Sequence, residues 1–173
     1  MAELKLEHEF DPKRKRHYLN KFLNVVHCHH YATLFTQLAL DAREIVDGTQ
    51  ILKESSEVVF FEVLSDYYKK NGIADTKDRM EIASKMFSAI GLGKLEIVSG
   101  DSNGGEIDMP FAYVDEGWIK KWGKNKEPVN FIGGGYVCGM FSAVFEKPVK
   151  TYKVTETQSK VMGAEKSHFK VTA

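Results

Sequence analysis

After Gly91 the apolar residues of this 173-residue chain change their period. Up to that point they recur every three or four positions, the spacing of one helix face. From His30 they run Leu34, Leu38 and Ile45, with Phe35 and Ala42 beside them, and Gly48 is read as the end of that first helix. The next apolar segment, Leu52 to Lys70, has an almost wholly apolar centre, "VVFFEVL". That predicts a second helix buried on more than one side, stopped at Asn71-Gly72. Asp75 or Thr76 then caps a third helix, whose stripe is Met80, Ala83, Phe87 and Ile90. Beyond Gly91 the runs "KLEIVSG" and "GEIDMPFAY" are short and extended, and the turn-rich "GDSNGG" between them makes a hairpin.

Helical spacing returns in "YVDEGWIKKWGKNKEP", with Trp118 and Trp122 on one face. It continues in "GGGYVCGMFSAVFEKP", with Gly135 and Gly139 on one side and Tyr136, Met140, Phe141 and Phe145 around it. "VKTYKVTE" and "HFKVT" then alternate as two further strands. Strands arrive in pairs rather than in βαβ alternation. The expected class is therefore α+β, a small, mostly antiparallel four-stranded sheet packed with about five helices. The first dozen residues are polar, so 1–20 is expected as a flexible N-terminal segment and 21–173 as a single domain.

Lysine plus arginine (24) equals aspartate plus glutamate (24), so no net charge draws the whole molecule to nucleic acid or an anionic membrane. The basic run Lys13 to Arg16 is short and follows acidic residues, and reads as a solvated turn. Neutrality also leaves self-association unopposed, which favours a homodimer. Cys28 and Cys138 are far apart, with no CxxC, as in a reduced, cytoplasmic protein. No run is long or apolar enough for a signal peptide or a membrane span.

The stretches "EPVNFIGGGYVCGMFSAVFEKPV" and "VTETQSKVMGAEKSHFKV" together resemble the 4-vinyl reductase domain family. Its members carry a C-x-x-x-G-x-x-x-C-x-F ending, a glutamate just ahead of it and a glycine-rich helix upstream. Gly163, Phe169 and Glu156 match, and the resemblance runs from about Lys94 to the end. It implies a fold for small hydrophobic molecules, shared with the sensor domains of phenol-responsive activators, a component of bacteriochlorophyll synthesis and acyl-chain-holding trafficking subunits. Dimers are common in that fold. A binding module is implied more than an enzyme. In the phenol sensors three cysteines and the glutamate hold a zinc. The cysteine positions correspond here to Asn130, Ser159 and Ser167, which are poor zinc ligands. No structural zinc is therefore expected in this loop. Hydrogen bonds from Ser159, Ser167, Gln158 and Glu156 are expected to hold it instead.

Two constellations compete for chemistry. "VHCHHY" sets His27, His29 and His30 close in sequence, a donor set for a transition metal (zinc, iron or nickel) or for proton transfer, with Glu156 a distant partner. It supports an alternative reading as a metal-dependent enzyme or reductase. His168 reads as surface. "GGGY" lacks the Lys-Ser/Thr of a phosphate loop, and "GLGK" precedes a strand, so neither is a nucleotide motif. Otherwise no cofactor is expected. The aromatic set Phe111, Tyr113, Trp118, Phe131, Tyr136, Met140 and Phe141 is the expected wall of an enclosed pocket for a small hydrophobic or aromatic ligand. Binding or sensing such a molecule is the leading expectation, with an assembly subunit as a further alternative.

Overall fold

The computed structural model describes residues 3–173, and the described chain begins with an antiparallel meander. Its strands are β1 (His8–Asp11), β2 (Arg16–Leu19) and β3 (Phe22–Asn24). Two of these lie within 1–20, expected as flexible; residues 1 and 2 of that segment lie outside the described residues. Helices α1 (His29–Asp41), α2 (Gly48–Asn71) and α3 (Thr76–Ala89) follow. Then come β4 (Gly93–Asp101) and β5 (Gly104–Ala112), α4 (Tyr113–Trp122) and α5 (Phe131–Val144), and β6 (Lys153–Gln158) and β7 (Ser167–Thr172). The last four strands form an antiparallel sheet in the order β4-β5-β7-β6. This is the α+β fold of five helices on a four-stranded antiparallel sheet, with the three-stranded meander added.

Sequence punctuation explains most boundaries. Asp75 caps α3 by accepting from the backbone N–H of Lys77 and Asp78. Gly72 closes α2 in the left-handed conformation, φ +64°. The hairpin β4–β5 turns tightly between Asp101 and Gly104.

α5 lies at the centre, with every residue from Gly133 to Val144 buried. Tyr136, Met140 and Phe141 pack there with Phe87, Ile107 and Phe169, joining helix to sheet. α2 runs along the other side of α5, and glycines set their approach. A Cβ at Gly135 would stand 2.3 Å from Lys53 O, and one at Gly139 would stand 2.5 Å from Glu57 O. Buried Glu57 on α2 accepts from Lys150 N at 2.6 Å, and Lys53 Nζ donates to Val154 O of β6 at 2.6 Å. A second apolar cluster joins Ala32 of α1, Val114 and Trp118 of α4, Val129 and Val161.

The first helix departs from its expected shape. α1 ends at Asp41, a 3-10 turn spans Ala42–Glu44, and Gly48 opens α2 instead of closing α1. A Cβ on Gly48 would lie 2.7 Å from Ala39 O, so α2 begins against the α1 backbone. The large apolar stripe faces outward: Leu34 is 44% exposed, Leu38 54% and Ile45 91%. Ala32, Thr33, Thr36 and Ala39 face inward because the neighbouring backbone leaves room only for small side chains there. A Cβ on Gly117 of α4 would already stand 2.9 Å from Thr33 Cγ2. α2 is likewise one-sided at its centre, with Val58 and Val59 exposed and Leu64 fully buried.

Gly139→Ala is expected to lower stability by about 1–3 kcal/mol, the cost of overpacking a fitted contact. Gly134→Ala, whose Cβ would meet nothing nearer than Lys53 Cε at 3.7 Å, is expected to hold or raise stability by up to about 1 kcal/mol through helix propensity. Thermal melts of the two variants check the contrast.

Candidate functional site

A cavity of about 540 Å³ opens between the N-terminal meander and the helices. Leu19 of β2 and Phe22 of β3 form one wall, Phe60 and Val63 of α2 a second, and Met86 and Ile90 a third. The meander sits over α2 because the Tyr67 hydroxyl accepts from Lys5 N at 2.8 Å and Lys70 Nζ stands 5.8 Å from the Phe22 ring centre. The lining is mixed: these apolar side chains share it with charged Lys5, Glu7, Lys21, Asp66 and Lys70 and with polar groups such as Asn24 and His27.

The residues expected to line a pocket are distributed differently. Tyr136, Met140 and Phe141 are core, and the Tyr136 hydroxyl donates to Ala83 O at 2.7 Å while its ring packs between Phe60 and Phe87. Tyr136 therefore stands directly behind Phe60 of the cavity wall. Trp118 belongs to the second cluster, its ring 4.5 Å from that of Trp122. Phe131 is half-buried at the start of α5. Phe111 is 56% exposed, with Lys160 Nζ 5.2 Å from its ring centre. Tyr113 meets a residue from the other expected set: its hydroxyl lies 3.1 Å from His27 Nδ1.

The three histidines are close but not convergent. His27 turns to Tyr113, while the His29 and His30 rings lie tilted against each other with centres 4.3 Å apart. Among the described residues no three His, Cys, Asp or Glu side chains gather as metal ligands. Glu156 lies in a different place, beside Asp115. His168 is half-buried, with Nδ1 2.7 Å from Asp108 Oδ1.

The loop between β6 and β7 surrounds a second feature, a buried polar cluster. Its backbone forms a 3-10 turn over Lys160–Met162 and closes at Gly163, φ +106°, a conformation suited to glycine. Ser167 Oγ donates to Asp115 Oδ2 at 2.8 Å and accepts from Lys160 N at 3.1 Å. Asn130 caps α5, its Oδ1 accepting from Gly133 N at 3.0 Å. Asp115, at the first turn of α4, is wholly buried, and Ser159 is 1% exposed. Burial pushes the Asp115 carboxyl up to about 6, partly offset by the Ser167 hydrogen bond. Burial, then the charge of Asp115, pushes Glu156 up to about 7.

Asn130, Ser159 and Ser167 stand at the positions where the resemblance puts the zinc-binding cysteines. They supply amide and hydroxyl oxygen in place of thiolate or imidazole, and Asn130 and Ser167 are already engaged. The sequence reading missed Asp115. Its signal was the inner face of α4, where Asp115 and Trp118 stand three residues apart beside Val114. It also missed the cavity, whose walls come from segments far apart in the chain.

The fold is similar to that of solved structures described as a phenol-responsive sensory domain, a vinyl-4-reductase family protein and a trafficking-complex subunit. The phenol-responsive sensory domain of the transcription activator PoxR, solved with phenol, matches with a TM-score of 0.80 at 13% identity, covering 95% of this chain and 84% of that one. A vinyl-4-reductase family protein from Methanocaldococcus jannaschii matches at 0.59 and 17% identity, covering 86% and 83%. A trafficking protein particle complex subunit 3 from Naegleria fowleri, covalently bound to palmitic acid, matches at 0.55 and 10% identity, covering 83% and 93%. No family model matches the sequence, and no curated protein matches it. Among the described residues, no helix is long and apolar enough to cross a membrane.

Ser167→Ala is expected to cost about 1–3 kcal/mol, because it removes a donor from a buried carboxylate and an acceptor from Lys160 N. Denaturant unfolding measures it, and a loss below about 0.5 kcal/mol contradicts the assigned bonds.

Proposed function

We propose that this protein binds and senses a small apolar or aromatic molecule in the cavity between the meander and α2. The observation that carries the reading is the cavity itself. Its volume of about 540 Å³ lies within the range of small-molecule sites, and apolar side chains from the meander, α2 and α3 share its walls with charged and polar groups that can orient a ligand. Leu19, Phe22, Phe60 and Ile90 offer aliphatic and aromatic surface, while His27 and Asn24 can hydrogen-bond a hydroxyl or carboxylate. The likeness to structures solved with phenol and with palmitic acid supports the same ligand class. A purified chain titrated with phenols, fatty acids and tetrapyrroles is expected to rise in melting temperature with at least one class. Val63→Trp, which fills the cavity from α2, is expected to weaken that ligand at least tenfold by calorimetry. No response to any class overturns the reading.

The same reading includes a homodimer. Tyr31, Leu34, Phe35 and Leu38 make an exposed apolar stripe with helical spacing on α1. A stripe of this kind can pair with its own copy about a two-fold axis, and the chain carries no net charge to oppose it. Light scattering after size exclusion is expected to give twice the chain mass, falling to one chain mass in Leu38→Glu. A monomer at all concentrations excludes the homodimer.

A further inference from the structure

Two histidines of the meander face each other across β1 and β2. His8 Nε2 stands 2.9 Å from His17 Nδ1. The ring centres are 5.2 Å apart and the planes 16° from parallel. That centre distance is the nitrogen gap plus the two ring radii, so the rings meet edge to edge and both nitrogens point into the space between them. A hydrogen bond there takes one N–H and one lone pair, so the pair shares a single proton. The Phe10 ring packs beside the pair, its centre 4.8 Å from that of His17. His8 is exposed and His17 half-buried, so solvent reaches the gap.

Strand register fixes where this pair sits. Phe10, His17 and Asn24 are cross-strand neighbours, as are His8, Leu19 and Phe22. Alternation puts these side chains on one face of the meander, and Leu19, Phe22 and Asn24 line the cavity. Glu9 and Tyr18 fall on the other face. The Asp11 carboxylate is taken up by the backbone N–H groups of Lys13 and Arg14. Among the described residues no third His, Cys, Asp or Glu side chain joins the pair as a ligand. The donors offered are two imidazole nitrogens, a set that suits a transition metal and not magnesium or calcium. Metal–imidazole bonds of about 2.0–2.1 Å put two nitrogens on one ion about 2.9–3.3 Å apart, from right-angled to tetrahedral geometry. The pair already has that separation, and only the ring tilt has to change for both lone pairs to converge.

We propose that His8 Nε2 and His17 Nδ1 bind one divalent transition-metal ion in place of the proton they share, copper(II) most tightly and nickel(II) and zinc(II) less so, with water in the remaining positions. The displaced proton moves to the far nitrogen of the donating ring or to solvent. The ion ties β1 to β2 and so stiffens the cavity wall that Leu19 and Phe22 supply. The metal binds without any apolar compound present, so the site stands or falls independently of the ligand proposed for the cavity.

The test uses the full chain, stripped with chelator and titrated by calorimetry with CuCl₂, NiCl₂ and ZnCl₂ in a buffer that does not bind metals. MgCl₂ is the control. About one equivalent of copper is expected to bind, nickel and zinc more weakly, and magnesium not at all. The electron paramagnetic resonance spectrum of the copper form is expected to show coupling to two imidazole nitrogens. Hydrogen exchange is expected to slow at the β1 and β2 amides. His8→Gln and His17→Gln are each expected to weaken copper at least tenfold and to abolish the slowed exchange. The double variant His29→Gln/His30→Gln on α1 is expected to bind copper as the wild type does. His8 is exposed, so its replacement leaves the fold intact, which circular dichroism checks. A wild type that binds none of the three metals beyond the magnesium control overturns the proposal. So does copper binding that survives in both His8→Gln and His17→Gln, or that is lost in the α1 double variant.

Discussion

The contact that the rest of the molecule depends on is the close approach of α2 to α5 across Gly135 and Gly139. Side-chain-free positions let two backbones meet where any Cβ would collide with a carbonyl oxygen. With α2 that near, Lys53 reaches Val154 on β6 and Glu57 reaches Lys150, so one helix is tied both to the central helix and to the sheet edge. The rest of α5 is then free to set Tyr136 against α3 and to pack Met140 and Phe141 in the core shared with the sheet. α2 also supplies the floor of the cavity through Phe60 and Val63. The cavity is thus a by-product of a helix pair whose spacing is fixed from the other side.

Much of this was legible in the sequence, and the exceptions share a cause. Hairpin, sheet class and helix ends follow from local chemistry: Asp75 as a cap, Gly72 and Gly91 as left-handed stops, alternation in β6 and β7. The resemblance carried by Gly163, Phe169 and Glu156 pointed to the correct fold. What periodicity could not reveal was which face of α1 turns inward. The stripe of Leu34 and Leu38 looks like a core face, yet the adjoining backbone at Gly117 and Gly48 admits only alanine and threonine. Tertiary spacing decided that, and it is not written in one segment. The meander over α2 was missed for the same reason, since Tyr67 and Lys5 are 62 residues apart.

The site shows a similar division. Absence of thiolates at Asn130, Ser159 and Ser167 could be read from the sequence. That Asp115 turns inward to meet Glu156 could not, because an acid at the first turn of a helix is ordinarily explained by the helix dipole. Only the packing of Val114 and Trp118 around it shows that this acid is buried. The aromatic segment from Phe111 to Phe141 reads as a pocket wall but serves mostly as scaffold, with Tyr136 backing the wall from inside.

The pairing of His27 with Tyr113 joins features that otherwise share no element. His27 borders the cavity, and Tyr113 is the first residue of α4, two positions before Asp115. One side-chain hydrogen bond therefore joins the rim of the cavity to the start of the helix that carries the buried Asp115. Any displacement of the His27 ring thus bears on the first turn of α4, the turn that carries the buried Asp115 carboxyl.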